Sequence, residues 1–282
     1  MSTVAAVVCH FGDKFWVENL LPYLKEQSNI NEIHLGHHYS LNEVSSALTT
    51  NIDHLSSSFI TIHNRVASNM DSTHPSIRHA VMLNQILESL TYSNSQYILI
   101  LDSDIIPIKP NWLDNVIEVL KTHDVLISVS HMYAHASHPC LIAFRSSHLA
   151  KIVIEAKVSS LWTDGKFREF RLETASNLAQ SLIDQNLRVA LVRPQTRYRS
   201  NWFHCYLNRT LVHIGNQSFY SKSRLKTPRK GIKYKYSLLL KYELPKYFAK
   251  QLRRGKSPQS WPLAILKVRV IMFPLIKALF KK

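Results

Sequence analysis

Apolar and polar positions alternate along the chain between two periods. Residues 3–9 (TVAAVVC) form a continuous apolar run rich in Val, the pattern of a strand buried on both faces of a parallel sheet. From Lys14 to Glu26, Phe15, Val17, Leu20, Leu21 and Leu24 recur at helical spacing, which predicts a strand, loop and helix opening with His10-Phe11-Gly12-Asp13 as the loop. Residues 32–36 and 58–62 read as further strands, and Ile77–Leu90 has a helical period with Pro75 and Ser76 at its start. An apolar strand, QYILILD, ends at Asp102. Beyond it the pattern predicts a helix from near Trp112, strands near 124–130 and 140–145, a helix near 173–186 and a last strand ending at Pro194. Strands alternating with helices predict an α/β fold, in which ligands gather outside the carboxyl ends of strands.

Composition places the chain among globular proteins, with 45% apolar residues in 282 and no low-complexity stretch or internal repeat. The first strand-like run begins at Thr3 without a basic leader or apolar h-region, so no secretory signal is expected. The three cysteines, Cys9, Cys140 and Cys205, are too few and too dispersed for a disulfide scaffold and lack CxxC spacing, so a cytoplasmic setting is expected.

Charge divides the chain. Residues 1–221 carry 17 Lys and Arg against 18 Asp and Glu, whereas residues 222–282 carry 18 against 1. A neutral domain over 1–221 and a basic extension over 222–282 follow. Such asymmetry points to an anionic partner, either lipid headgroups or nucleic acid. The run from Trp261 to Phe280 is apolar but broken by Lys267, Arg269, Lys277 and two prolines. A spanning helix wants about 20 nearly uncharged residues, so peripheral contact with the inner face of a membrane is expected instead. Packing of the extension against the core or a partner subunit is the alternative, and no nucleic acid is expected.

The chemistry concentrates in YILILDSDIIP. An apolar strand delivers Asp102 and Asp104 two residues apart, and the Ile-Ile-Pro that follows keeps them from being a freely solvated turn. Their desolvation needs an opposing charge. A hard divalent cation, Mg²⁺ or Mn²⁺, meets that need by binding one or two carboxylates together with phosphate oxygens. Asp and Ser also cap turns without any ligand, and the position of this pair at the end of an α/β strand is what favours the metal.

On these residues the chain resembles the GT-A glycosyltransferases, and specifically the large inverting glycosyltransferase family 2. The resemblance covers about residues 3–220. It also rests on AVVCHFGDKFWVENLLPYL, HPSIRHAVMLNQIL, and LETASNLAQSLIDQNLRVALVRP followed by LVHIGNQS. It implies a mixed sheet flanked by helices, binding a nucleotide-sugar donor, foremost a UDP-sugar, with Mn²⁺ or Mg²⁺. His10 and Phe11 would lie beside base and ribose. His74, Ser76 and His79 would face the sugar nucleotide, although His79 reads equally as a histidine satisfied within its helix. Asp102 and Asp104 would serve the metal, with Asp102 also reaching the ribose or a metal-bound water. His213 would be a third ligand, since neutral imidazole binds divalent ions.

An inverting transfer also needs a base across the site from the metal. The candidates are Asp164, Glu169 and Glu173, with Glu173 expected to open the helix LETASNLAQSLIDQN. The family often carries a DTG-like motif there, and this chain has Glu-Thr-Ala. The activity implied is sugar transfer to a hydroxyl of a glycan or lipid-linked acceptor, as in building a surface polysaccharide.

Two other classes compete. Sugar nucleotidyltransferases need a Gly-rich, basic loop after the first strand, where this chain has CHFGDKF with one glycine. A non-catalytic membrane- or nucleic-acid-binding protein would make no use of the DSD motif. P-loop, GxGxxG, HExxH and GxSxG motifs and zinc-type Cys/His spacing are all absent.

Overall fold

The structure is a computed structural model, and it describes residues 2–10, 15–40, 55–67, 75–129, 137–163, 166–195, 204–208, 210–213 and 249–250. Its centre is a seven-stranded sheet. β1 (Val4–His10), β2 (Ile30–Ser40), β3 (Ile60–Ala67), β4 (Tyr97–Asp102), β6 (Val125–Val129), β7 (Ser137–Arg145) and β10 (Val189–Val192) are ordered β10-β6-β7-β4-β1-β2-β3. β1 pairs in parallel with both β2 and β4, as its apolar run predicts. β7 runs antiparallel between β4 and β6, a direction that periodicity does not report. A mixed sheet flanked by helices is the layer arrangement that the resemblance implies.

Alternation along β1 builds two cores at once. Val4, Ala6 and Val8 face a cluster with Leu20 and Leu24 of α1 (Phe15–Lys25) and with Trp112 and Leu120 of α3 (Trp112–Thr122). Ala5, Val7 and Cys9 face the other, with Leu83 and Ile86 of α2 (Pro75–Ser89) and Leu182 of α4 (Leu178–Asp184). Gly36 of β2 lies directly under α2, where a Cβ would stand 2.6 Å from Ile86 Cδ1 and 2.8 Å from Met82 Cγ. That contact sets how closely α2 approaches the sheet.

The remaining strands lie outside the main sheet. β5 (Ile105–Pro107), β11 (His204–Tyr206) and β12 (Leu211–His213) form a three-stranded sheet, and β8 (Ala156–Thr163) pairs with β9 (Lys166–Thr174) as a hairpin. At the far edge Arg188 fastens β10 to the start of β6. Its guanidinium donates to both carboxylate oxygens of Asp124, at 3.1 and 3.2 Å, and holds that carboxyl down to about 2.

Of the basic extension, only 249–250 is described. Ala249 is fully buried, and Lys250 Nζ sits 5.6 Å above the Phe15 ring at the start of α1. No helix among the described residues is long and apolar enough to cross a membrane.

Candidate metal centre

β4 ends at Asp102, a two-residue turn follows, and Asp104 leads into β5. β5 is held by β12 in an antiparallel ladder that sets His213 opposite Ile105. β12 is held in turn by β11, with His213 opposite His204. These short ladders carry His213 from far along the chain to the acidic turn. Its Nε2 lies 3.2 Å from Asp104 Oδ1 and 3.7 Å from Asp102 Oδ2. Asp104 and His213 are buried, and Asp102 is partly open.

The charges account for one another. Burial by itself pulls the His213 imidazole down, but the Asp104 carboxylate, its hydrogen bond and the Asp102 charge together raise it above the usual histidine value. The two carboxylates thus favour the charged form of the imidazole between them. His79 behaves oppositely. It projects from α2 to within 3.8 Å of Asp102 Oδ1, and burial pulls it down to about 4 against the raising influence of Asp104. His79 is therefore neutral at ordinary pH.

One ligand atom each from Asp102, Asp104 and His213 all lie within 4.8 Å of one another, a set that can hold a metal ion. Two carboxylates and one imidazole fit a divalent ion that accepts oxygen and nitrogen together, Mn²⁺ ahead of Mg²⁺.

The other candidates are distributed unevenly. His10 ends β1, whose Cys9 is in register with Asp102, so the backbone places it at the same sheet edge. Ser76 lies one helical turn before His79 and accepts a 2.9 Å hydrogen bond from Thr174 Oγ1 through its carbonyl. Phe11, His74 and Asp164 lie outside the described residues.

Glu169 and Glu173 belong to β9, opposite Leu161 and Lys157 of β8. Glu173 does not open a helix, because α4 begins only at Leu178. Hairpin pairing outweighs helix propensity here, and the Thr174–Ser76 bond pins the strand end to α2. The chain turns at Ala175, which is buried at φ 60 and donates its N–H to the Glu155 carbonyl at 2.7 Å. Left-handed backbone costs a non-glycine residue about 1–2 kcal/mol. A less constrained unfolded chain offsets about 0.4–1 kcal/mol of the relief glycine brings. Ala175→Gly is therefore expected to raise stability by up to about 1 kcal/mol, seen as a higher urea midpoint at unchanged slope.

Two residues that sequence reasoning passed over stand beside the acidic turn. His138 and Cys140 of β7 form a second group with His213, again with ligand atoms within 4.8 Å. Burial pushes the Cys140 thiol far up, as do the Asp102 and Asp104 charges, against the lowering effect of hydrogen bonds to Ser128 and Tyr206. The only sequence signal was a His and a Cys two residues apart in SHPC, at the start of an apolar strand.

No family model matches the chain, and no curated protein matches it. Solved structures do. A mannosyltransferase from Pyrobaculum calidifontis in complex with GDP-Man and Mn²⁺ is 13% identical, with 98% of this chain and 80% of that chain covered and a TM-score of 0.44. Glucosyl-3-phosphoglycerate synthase from Mycobacterium tuberculosis is 12% identical over 71% of this chain and 73% of that chain, with a TM-score of 0.42. A 4-diphosphocytidyl-2C-methyl-D-erythritol synthase from Anaerococcus prevotii is also 12% identical, over 71% of this chain and 92% of that chain, with a TM-score of 0.41. Likenesses this distant assign no activity, and the chemistry of the site rests on its own residues.

Proposed function

We propose that the protein is a glycosyltransferase that moves a sugar from a nucleoside-diphosphate sugar to a hydroxyl of a glycan or lipid-linked acceptor, with inversion. The observation that carries this reading is the cluster of Asp102, Asp104 and His213 at the carboxyl end of a central parallel strand. Donor diphosphates are recognised at such strand ends in open α/β sheets.

Asp104 and His213 would hold Mn²⁺ or Mg²⁺, with Asp102 on the metal or reaching the ribose. When bound, the ion neutralises charge on the departing diphosphate. His10 and Phe11 would border the base and ribose, with UDP the first nucleotide to try. Neutral His79 would donate a hydrogen bond toward Asp102 or a donor oxygen without adding charge.

In the transfer, the acceptor oxygen bonds to the anomeric carbon as the bond from that carbon to the diphosphate breaks. The base accepts the acceptor's proton. Glu173 is the first choice for that base, with Glu169 and Asp164 as the alternatives. Glu173 stands next to Thr174, whose side chain is bonded to α2 one turn before His79. Glu173→Gln is expected to bind nucleotide normally and to lose transfer by at least the ~100-fold typical of a missing general base. Full turnover in that variant transfers the role to Glu169 or Asp164.

Titration calorimetry of UDP, GDP and dTDP with and without Mn²⁺ tests the donor site. Metal-dependent binding of one nucleotide supports it, and binding of none sinks it.

The basic extension over 222–282 is proposed to hold the enzyme peripherally on the inner face of a membrane, which suits a lipid-linked acceptor. Cosedimentation with anionic vesicles is expected to fall as salt rises. It is expected to fall further in a chain ending at Gly255, which retains the buried Ala249. Equal sedimentation of the shortened and full chains would remove the membrane from the proposal.

A further inference from the structure

β7 reaches the acidic turn through an irregularity. Ile127 of β6 pairs with Ile142, but Ser128 pairs with His138, so β7 carries extra residues at that step. Ser128 stitches the bulge, donating from Oγ to the His138 carbonyl at 2.7 Å and accepting from the Leu141 N–H at 3.2 Å. Bulges re-aim the side chains they carry. Here His138 and Cys140 are brought to His213, with the two imidazole centroids 5.1 Å apart. The Cys140 N–H donates to His138 Nδ1 at 3.2 Å, which makes that nitrogen an acceptor. It has a lone pair that can exchange a long hydrogen bond for a cation.

These donors differ in kind from the carboxylates. Two imidazoles and a thiolate suit Zn²⁺ and its congeners, whereas carboxylates suit Mn²⁺ and Mg²⁺. We infer that His138, Cys140 and His213 form a second cation site for a thiophilic divalent ion of the Zn²⁺ type, and that filling it withdraws His213 from Asp102 and Asp104. As the metal–sulfur bond forms, the Cys140 S–H bond breaks and its proton leaves to solvent, as does any proton on His213. Zn²⁺ is then an antagonist of Mn²⁺ in this protein and not a substitute for it. Asp102 and His138 are the partly open members of the combined cluster, which gives an ion a way in from the sheet edge.

Cd²⁺ titration of the full-length protein tests this directly, because a cadmium–thiolate bond absorbs in the ultraviolet, while paramagnetic resonance follows bound Mn²⁺ in the same sample. The expected result is a saturable thiolate band that is absent in Cys140→Ser and kept in Cys205→Ser, with Mn²⁺ displaced as the band grows. Displacing Mn²⁺ from Cys140→Ser should need at least the roughly 10- to 100-fold more Cd²⁺ that losing even an outer-shell partner costs. His138→Gln keeps the thiol and should independently weaken Cd²⁺ binding, and a matching thermal transition for each metal-free variant guards against misfolding. A thiolate band that survives Cys140→Ser overturns the site, and so does Mn²⁺ that stays bound while the band saturates. If the wild type binds no Mn²⁺ yet shows a Cys140-dependent band, the proposed donor metal falls and the soft site stands.

Discussion

Asp104→Asn is expected to abolish metal-dependent nucleotide binding while leaving the protein folded. The carboxylate is buried, and its Oδ1 lies 3.2 Å from His213 Nε2. Asparagine keeps the shape and one accepting oxygen but removes the charge. In the metal-free protein that loss is limited, because relief of the repulsion between two neighbouring carboxylates offsets part of the weakened contact with His213. His213 loses its main reason for an elevated pKa and should titrate lower. With metal the balance reverses, since the substitution leaves Asp102 as the sole anionic donor of the set. Removing an outer-shell partner already costs about 10–100-fold in affinity, so a direct ligand should cost about 100-fold or more. Calorimetry should give the same weak nucleotide affinity with and without Mn²⁺. Unchanged metal-dependent binding would detach the acidic turn from the donor site.

Phe144→Ala is expected to be the most damaging single truncation of the core. Phe144 has no exposed surface and sits on β7 between two strands, in register with Ile98 on β4 and Val125 on β6. It packs in the cluster that contains Leu83, Ile86 and Leu182, so its removal leaves a void between the sheet and two helices. Such truncations cost about 3–5 kcal/mol. That is a large part of the roughly 5–15 kcal/mol by which domains are stable. Urea unfolding should show a much lower midpoint with a similar slope. The metal-binding end of β7 is the opposite one, so the folded variant should retain wild-type Mn²⁺ affinity. A loss under 1 kcal/mol would mean that α2 and α4 close onto the sheet far more readily than their packing suggests.

Much of the central layer was legible as pattern. The runs at 3–9 and 96–102 are strands because continuous apolar residues need burial on both faces, and the spacing after Lys14 is a helix because one face alone is apolar. The acidic pair could be placed at a strand end because the apolar run stops at Asp102. The hairpin of β8 and β9 was missed, and with it the place of Glu173. Its residues carry a helix-compatible pattern, and only pairing across the hairpin selects the strand.

Sequence by itself determined the elements whose signal is local: long apolar strands, amphipathic helices, and two carboxylates delivered by one of them. It also determined the charge division at about residue 221, since charge is a property of residues and not of their arrangement. Tertiary structure alone decided which groups meet. β5, β11 and β12 are three residues each, too short for alternation to register, yet their ladders bring His213 to Asp104. The direction of β7 and its bulge, which add His138 and Cys140, depend on pairing with strands far away in the chain. Periodicity records which face of a segment is buried, and it carries no record of the partner that buries it.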